Sequence, residues 1–301
     1  GVGDSVYGGA GNDLFIISDA GFTLIDGGDG NDTMSWDEST AVNGQELTLT
    51  TGGATNFENI YGTSATETIK GDDNDNILRG GLGGADTIYG YAGNDSLYGH
   101  GQGGDDPNDS NYTDAKTLYG GAGNDNLYGG YGDDTLDGGT GIDTLTGGNG
   151  IDTFVIRTDD GSSLIEGANI ITDFSDGTDL IGLDNGLTFN ELTIEQGIGD
   201  YINHTLVRIT ETGEYLLILQ NTTASNITEL DFTDVDISES SRDAANKDDN
   251  EGSNSIDPIP DDDTPVTPTN DDPLPELPDL SLFVNDFALG SITLPETVVT
   301  M

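Results

Sequence analysis

The sequence of 301 residues contains no cysteine, only seven basic residues and no long apolar run. Disulfides and thiolate metal sites are therefore excluded, and no segment approaches the 18 apolar residues needed for direct membrane insertion. Seven lysine and arginine residues among 57 acidic ones cannot form a phosphate-binding stripe, which excludes nucleic acid as a partner. The only histidines, His100 and His204, exclude an H-E-x-x-H zinc site, and no G-x-S-x-G serine motif occurs.

Glycine and acidic side chains are what the sequence has in excess. The chain contains 46 glycines, its formal net charge is −50, and apolar residues make up 33% of it. High charge with little apolar surface is typical of disorder, unless a bound metal supplies the missing folding free energy. The composition therefore favours a cation as the partner that orders the chain.

A nine-residue pattern, G-G-x-G-x-D-x-U-x with U apolar, dominates the first half of the chain. Four uninterrupted copies run from Gly120 to Val155, and two more begin at Gly8 and Gly27. Weaker copies fill residues 58–98, with the acidic position assigned to Glu58, Glu67, Asp75, Asp86 and Asp95. The pattern assigns the inward U position to Phe15, Ile25, Met34, Ile69, Ile77, Ile88, Leu97, Leu118, Leu127, Leu136, Leu145 and Phe154.

Each copy reads as a glycine turn followed by a short strand, so two copies make one coil of a flat solenoid. Aspartates 18 residues apart then stack, which pairs Asp125 with Asp143 and Asp134 with Asp152. At a strand spacing of ~4.8 Å two carboxylates repel by ~1 kcal/mol in water and more when buried. A divalent cation between the two carboxylates replaces this repulsion by attraction. Turn carbonyl oxygens complete a coordination shell that suits calcium better than magnesium.

These copies resemble the repeats-in-toxin (RTX, haemolysin-type) calcium-binding nonapeptide of bacterial secreted and surface proteins. The resemblance covers about residues 4–155, with gaps, and implies an all-β fold, a parallel β-roll that binds several Ca²⁺ ions. It also implies export from the cell and calcium-triggered folding outside it. The metal ligands that it implies are Asp13, Asp32, Asp86, Asp95, Asp125, Asp134, Asp143 and Asp152.

Two positions depart from the family pattern, and both predict a missing or altered calcium site. Lys116 stands at the acidic position 18 residues before Asp134, and Thr23 stands nine residues before Asp32. The segment Ile170–Leu183 resembles the stretch that closes the last coil in such proteins. That resemblance adds two expected ligands for a final calcium, Asp173 and Asp179.

The pattern divides the chain into four regions. Residues 1–156 form the calcium-binding β-roll with insertions at 36–57 and 102–115, and residues 157–236 form a β-rich capping region with runs at 192–194, 205–209 and 215–219. Seven of nine prolines fall in 237–279, which predicts a disordered acidic linker. Residues 280–301 turn apolar again and resemble the start of a bacterial immunoglobulin-like adhesion domain, cut short.

The function favoured by these observations is calcium binding by stacked turns in an extracellular module of a secreted or surface bacterial protein. The chain begins inside a repeat, so we expect a piece of a longer protein that is not itself an enzyme. Two alternatives stay open: an export and folding domain of a secreted enzyme whose catalytic domain lies elsewhere, or an adhesin stalk that binds a carbohydrate or a cell-surface partner.

Overall fold

The computed structural model describes residues 5–18, 24–50, 53–100 and 113–237. The predicted linker at 237–279 and the apolar tail at 280–301 lie outside the described residues, apart from Ile237, as do Thr23 and most of the 102–115 insertion. Short strands alternate with tight turns along the described chain, as the nine-residue pattern predicts. Helix is limited there to three-residue 3-10 turns at Glu38–Thr40, Thr158–Asp160, Ile165–Gly167, Phe189–Glu191, Gly199–Tyr201 and Glu229–Asp231.

The strands alternate between two long sheets, because successive copies of the repeat place their strands on opposite sides of a coil. One sheet has eight strands in the order β22-β18-β16-β14-β12-β10-β8-β5. These strands are Phe232–Asp234 (β22), Leu180–Leu183 (β18), Thr153–Ile156 (β16), Thr135–Thr140 (β14), Thr117–Ala122 (β12), Thr87–Ala92 (β10), Glu67–Lys70 (β8) and Gln45–Thr48 (β5). All pairs in this sheet are parallel.

The opposite sheet has eleven strands in the order β19-β20-β21-β17-β15-β13-β11-β9-β7-β4-β2. They are Leu192–Gln196 (β19), Thr205–Ile209 (β20), Tyr215–Leu219 (β21), Asn169–Ile171 (β17), Thr144–Asn149 (β15), Asn126–Tyr131 (β13), Ser96–Tyr98 (β11), Ile77–Arg79 (β9), Asn59–Tyr61 (β7), Thr33–Trp36 (β4) and Leu14–Ile17 (β2). A three-stranded parallel sheet joins Ser5–Ala10 (β1), Leu24–Asp29 (β3) and Ala54–Thr55 (β6). The fold is thus a parallel β-roll.

The apolar U residues form the core between the sheets. Leu118 lies beside Leu136 in one sheet and Leu127 beside Leu145 in the other, and all four are fully buried. From β10 to β15 each strand contributes one fully buried apolar residue, so the core there is a narrow double column. The assignment of Ile77 was wrong: Ile77 is half-buried, and the neighbouring Leu78 fills the column. Phe15 is only partly buried, against the same core.

The predicted insertion at 36–57 belongs to the roll. Strand β5 pairs with β8 and places Leu47 beside Ile69, while β6 pairs with β3. Leu47 is fully buried because it sits in the same inward column as the repeat U residues. The segment therefore adds paired strands to the roll, although its sequence does not follow the nonapeptide pattern.

The β-rich region after residue 156 continues both sheets. Strands β17 and β18 stack on β15 and β16, and β21 then pairs with β17 in parallel. Strands β19, β20 and β21 turn antiparallel at the end of the larger sheet, at the three β runs that the sequence indicated. No helix in the described part of the chain is long and apolar enough to cross a membrane.

Candidate calcium-binding site

Each repeat aspartate sits at the junction of a glycine turn and a strand. Asp125 immediately precedes β13, and Asp134 immediately precedes β14. The second glycine of each copy has positive φ, +110° at Gly121 and +108° at Gly130, which turns the chain without strain only because no Cβ is present. Every coil therefore places its carboxylates at the same positions around the coil, so that they stack along the roll.

In seven of the eight predicted repeat sites, all except Asp13, one carboxylate oxygen accepts the backbone N–H of the equivalent residue in the preceding coil. The Asp143 Oδ1 accepts from the Asp125 N–H at 2.9 Å, and the Asp152 Oδ1 accepts from the Asp134 N–H at 3.0 Å. The predicted pairing of these aspartates is confirmed. Other backbone N–H groups donate in the same way to a side-chain oxygen of the next coil. The donor and acceptor residues are Asp13 and Asp32, Asp32 and Glu58, Glu67 and Asp86, Asn76 and Asp95, Asp95 and Asp125, Lys116 and Asp134, Asp143 and Asn169, and Asp152 and Asp179. These bonds form two columns, one beside each long sheet, which we call the carboxylate ladders.

The second carboxylate oxygen is buried and accepts no hydrogen bond from any described residue in seven of the eight predicted repeat sites. These atoms are the Oδ2 of Asp13, Asp32, Asp95, Asp125, Asp134, Asp143 and Asp152. A buried anionic oxygen without a partner costs several kcal/mol, so a column of them is untenable without a counter-charge. This repeated orphan atom is the feature of the structure that fits a metal ion.

The first glycine of each copy leaves room beside that oxygen. A Cβ on Gly120 would lie 2.5 Å from the Asp125 Oδ2 and 2.5 Å from the carbonyl oxygen of Gly138, one coil further on. The same arrangement recurs at Gly129, beside Asp134 and the Gly147 carbonyl oxygen. The cradle thus joins a carboxylate oxygen to a backbone carbonyl oxygen, the hard ligands that calcium prefers.

No group of three or more acidic or histidine side chains in the described ranges is placed to hold one ion. This agrees with the ladder geometry, in which each coil brings only one carboxylate to a given position. The ion would complete its shell with turn carbonyl oxygens, which calcium accepts readily.

Burial raises the pKa of five ladder aspartates toward neutrality. The pKa rises to about 8 at Asp95 and Asp134, to about 7 at Asp125, and to about 6 at Asp143 and Asp152. Loss of water around the charge is the main cause; the accepted N–H bond opposes it, and at most of these positions a stacked carboxylate adds to it. Without a cation the ladder is therefore reluctant to hold its charge.

Asp86 is the exception among the predicted repeat sites. Its Oδ2 accepts from the Lys116 ammonium at 3.1 Å, and both side chains are almost completely buried. The sequence prediction of an altered site at Lys116 identified the right position, and the prediction of Asp86 as a calcium ligand conflicts with this ion pair. The oxygen that is orphaned in the other copies is already neutralised here.

Asp173 and Asp179 lie where the roll ends, and neither shows the orphan oxygen. The two oxygens of Asp173 accept the N–H groups of Gly147 and Gly148 at 3.0 and 2.9 Å. Asp179 accepts the N–H of Asp152 at 3.2 Å and that of Ser175 at 2.8 Å. Asp179 closes one ladder and Asp173 caps a turn.

The slipped copies place a different residue in the ladder than the spacing suggested. Asn76 aligns with Asp95, while Asp75 lies one residue earlier and accepts the Asn94 N–H at 2.7 Å. Asn76 donates its N–H as the ladder aspartates do, but its amide oxygen accepts the Asp72 N–H of its own turn at 2.8 Å, and its side chain carries no charge. Glu67 occupies its ladder position, and its pKa rises to about 7, mainly through burial.

A second buried charge cluster lies beside the last coils and gave no signal in the sequence. The Arg157 guanidinium contacts Asp137, Asp160 at 3.4 Å and Asp184 at 3.3 Å, all of them buried. Asp137 occupies the last, variable position of its repeat. Only the fold brings these four side chains together.

Comparison with known proteins finds the model of the RTX calcium-binding nonapeptide repeat (4 copies) in this chain. It matches residues 3–17, 16–35, 61–83, 81–106 and 117–145. No curated protein matches this chain.

Solved structures resemble the chain over part of its length. The AlgE6R2 subunit of the Azotobacter vinelandii mannuronan C5-epimerase is 26% identical, with a TM-score of 0.34 over 54% of this chain and 89% of that one. Extracellular lipase LipA from Serratia marcescens is 13% identical, with a TM-score of 0.24 over 68% of this chain and 45% of that one. The family match and the ladder geometry show that residues 3–145 of this chain carry RTX calcium-binding nonapeptide repeats, which bind Ca²⁺ at multiple sites.

Proposed function

We propose that calcium drives the folding of this chain outside the cell by neutralising the carboxylate ladders. The observation that supports the proposal is the column of buried Oδ2 atoms without donors. In six of these seven aspartates, all except Asp13, the other oxygen is held by a backbone N–H, so the carboxylate is positioned before any ion arrives. Calcium then supplies charge compensation that no described side chain offers at these positions.

The ligands that we propose are the aspartates with an orphan oxygen, each assisted by turn carbonyl oxygens. They are Asp13, Asp32, Asp95, Asp125, Asp134, Asp143 and Asp152. Asp173 and Asp179 are proposed as ligands of a final ion only through lone pairs left beside their N–H bonds. Residues 120–155 should bind most tightly, because there neighbouring copies are intact on both ladders.

The proposed location outside the cell follows from the calcium affinity that is typical of extracellular sites. A site with a dissociation constant near 10⁻⁴ M contributes ~1.4 kcal/mol at about 1 mM calcium and almost nothing at submicromolar calcium. Several sites together reach the ~5–15 kcal/mol that stabilises an ordinary domain. The roll would thus stay unfolded inside a cell and fold after export.

We further propose that the described chain is structural and not catalytic. The ladder carboxylates are committed on one side to backbone N–H groups and on the other to a cation. They are buried beneath glycine turns, and a substrate would have to displace the coil to reach them. The roll and the β-rich region to residue 236 would act as one module, since the two sheets run through both.

Circular dichroism and titration calorimetry test this function. In EDTA the chain should lose the β signal of its repeat array, and about 1 mM calcium should restore it with uptake of several ions. Magnesium at the same concentration should not restore it, because it demands tighter octahedral geometry and keeps its water. A β spectrum that is unchanged by EDTA would refute calcium-dependent folding.

A further inference from the structure

Lys116 occupies a position in its carboxylate ladder that an aspartate occupies in most other coils. Its N–H donates to the Asp134 Oδ1 at 2.7 Å, and its carbonyl oxygen accepts the Thr135 N–H at 2.9 Å. These are the bonds that aspartates make in the other coils. The backbone therefore keeps the ladder register, and only the side chain differs.

The Lys116 side chain turns toward the preceding coil and brings its ammonium into a set of oxygens. Nζ lies 3.1 Å from the Asp86 Oδ2 and 3.0 Å from the Gly83 carbonyl oxygen, and it also contacts the Gly84 carbonyl oxygen. An ammonium has three donors and no acceptor, so these three oxygens satisfy it completely. Lys116 is 1% exposed, which places the charge fully inside the roll.

The three oxygens are of the kind that the calcium-binding copies offer. They are one ladder carboxylate oxygen and carbonyl oxygens of its own glycine turn. Burying an ammonium is favourable only where its charge and every donor are met, and the turn around Asp86 does both. Among the eight repeat aspartates, the one beside this ammonium is also the one whose Oδ2 has a partner.

We propose that the Lys116 ammonium is a built-in cation that takes the place of calcium at Asp86. The coil between Asp86 and Asp134 then holds its charge balance at any calcium concentration. On its ladder it precedes the proposed calcium sites at Asp134 and Asp152. This inference rests on the proposed function, because it assigns to Lys116 the role that calcium has in the neighbouring coils.

The most direct test uses the unmodified chain and its lysine chemistry. Reductive methylation with formaldehyde and borohydride, read by mass spectrometry, should label Lys70, whose side chain is 26% exposed, and leave Lys116 unlabelled at saturating calcium. If calcium makes Lys116 reactive while the chain is folded, the ion and not the ammonium occupies the site.

Calcium stoichiometry of two variants supplies the second test. Lys116→Asp should bind one calcium ion more per chain than the parent, because it restores a ladder carboxylate and frees the oxygens around Asp86. Lys116→Met removes the charge and frees the same oxygens without adding a carboxylate, so it should bind no fewer ions than the parent and should melt at a lower temperature at limiting calcium. An unchanged count in a folded Lys116→Asp chain, or an unchanged melting temperature of Lys116→Met at limiting calcium, would overturn the proposal. A parent chain that binds no calcium would instead defeat the proposed function itself.

Discussion

The array of repeats and the region around Arg157 both bury carboxylates, but they compensate the charge differently. In the array, Asp125, Asp134 and Asp143 each bury an oxygen that no described side chain approaches as a donor. Beside the last coils, three buried carboxylates surround the Arg157 guanidinium, and each contacts it. The first arrangement requires an ion from solution, while the second carries its own cation.

The apolar core is also thinner in the repeat array than in the region after residue 156. Strands β10 to β15 of the array each contribute one fully buried apolar residue, such as Leu127 and Leu136. The region after residue 156 instead packs adjacent strand residues, with Leu216, Leu217 and Leu219 all buried. Apolar burial is worth ~25 cal/mol per Å², so this region has more stability that is independent of calcium. The comparison predicts a calcium dependence that is graded along one continuous pair of sheets.

The pH response of the chelated chain should show the largest difference. The folded-state pKa of Asp95 and Asp134 is raised to about 8, far above the ~3.9 of an unfolded aspartate. A raised folded pKa stabilises the fold below the unfolded value, and that contribution is lost as pH rises through the folded pKa. In EDTA the array should therefore be more ordered at pH 5 than at pH 8, by circular dichroism.

Calcium should reverse this trend, because the ion requires the ionised carboxylates. Its affinity should fall as pH falls from 8 to 6, with proton release on binding measurable by calorimetry in buffers of different ionisation heat. Order in EDTA that increases from pH 5 to pH 8 would contradict the burial of unpaired carboxylates.

Arg157→Met should destabilise the region around the last coils strongly. The change leaves Asp137, Asp160 and Asp184 buried without their shared cation, which costs ~3–5 kcal/mol. Saturating calcium should not rescue the variant, because this cluster does not use the ion. Chemical denaturation in calcium measures the loss, and Arg208→Met is the matched control. Arg208 pairs with Glu195 at a partly exposed site, so its loss should cost at most ~1 kcal/mol.

Asp143→Asn should have a smaller effect that appears only with calcium. An asparagine amide oxygen keeps the bond to the Asp125 N–H, as Asn169 already does for Asp143. The variant should bind fewer calcium ions and lose ~1.4 kcal/mol at about 1 mM calcium. In EDTA it should match the parent or exceed it in stability, because a buried charge is gone. The exposed Asp200→Asn is the control, and equal calcium counts in the two variants would count against the ladder.

Sequence periodicity predicted the roll, its two faces and the ladder pairs because each depends on a fixed spacing. It failed where spacing slipped: around Asp75 the backbone kept its strand register, and Asn76 with Leu78 took the ladder and core positions. Lys116 was visible as a basic residue in an acidic column, although the oxygens it binds were not. The Arg157 cluster was beyond prediction, because Asp137, Asp160 and Asp184 meet only through the stacking of coils and a turn.

Hydrogen–deuterium exchange, resolved by peptide and compared in calcium and in EDTA, tests the central claim most directly. Backbone amides in 117–155 should be strongly protected in calcium and should exchange rapidly in EDTA, because their fold depends on neutralised carboxylates. Amides in 192–219 should lose much less protection, since their strands rest on apolar packing. If the array keeps its protection in EDTA at pH 8, or if both segments lose it equally, the account of a calcium-neutralised ladder is contradicted.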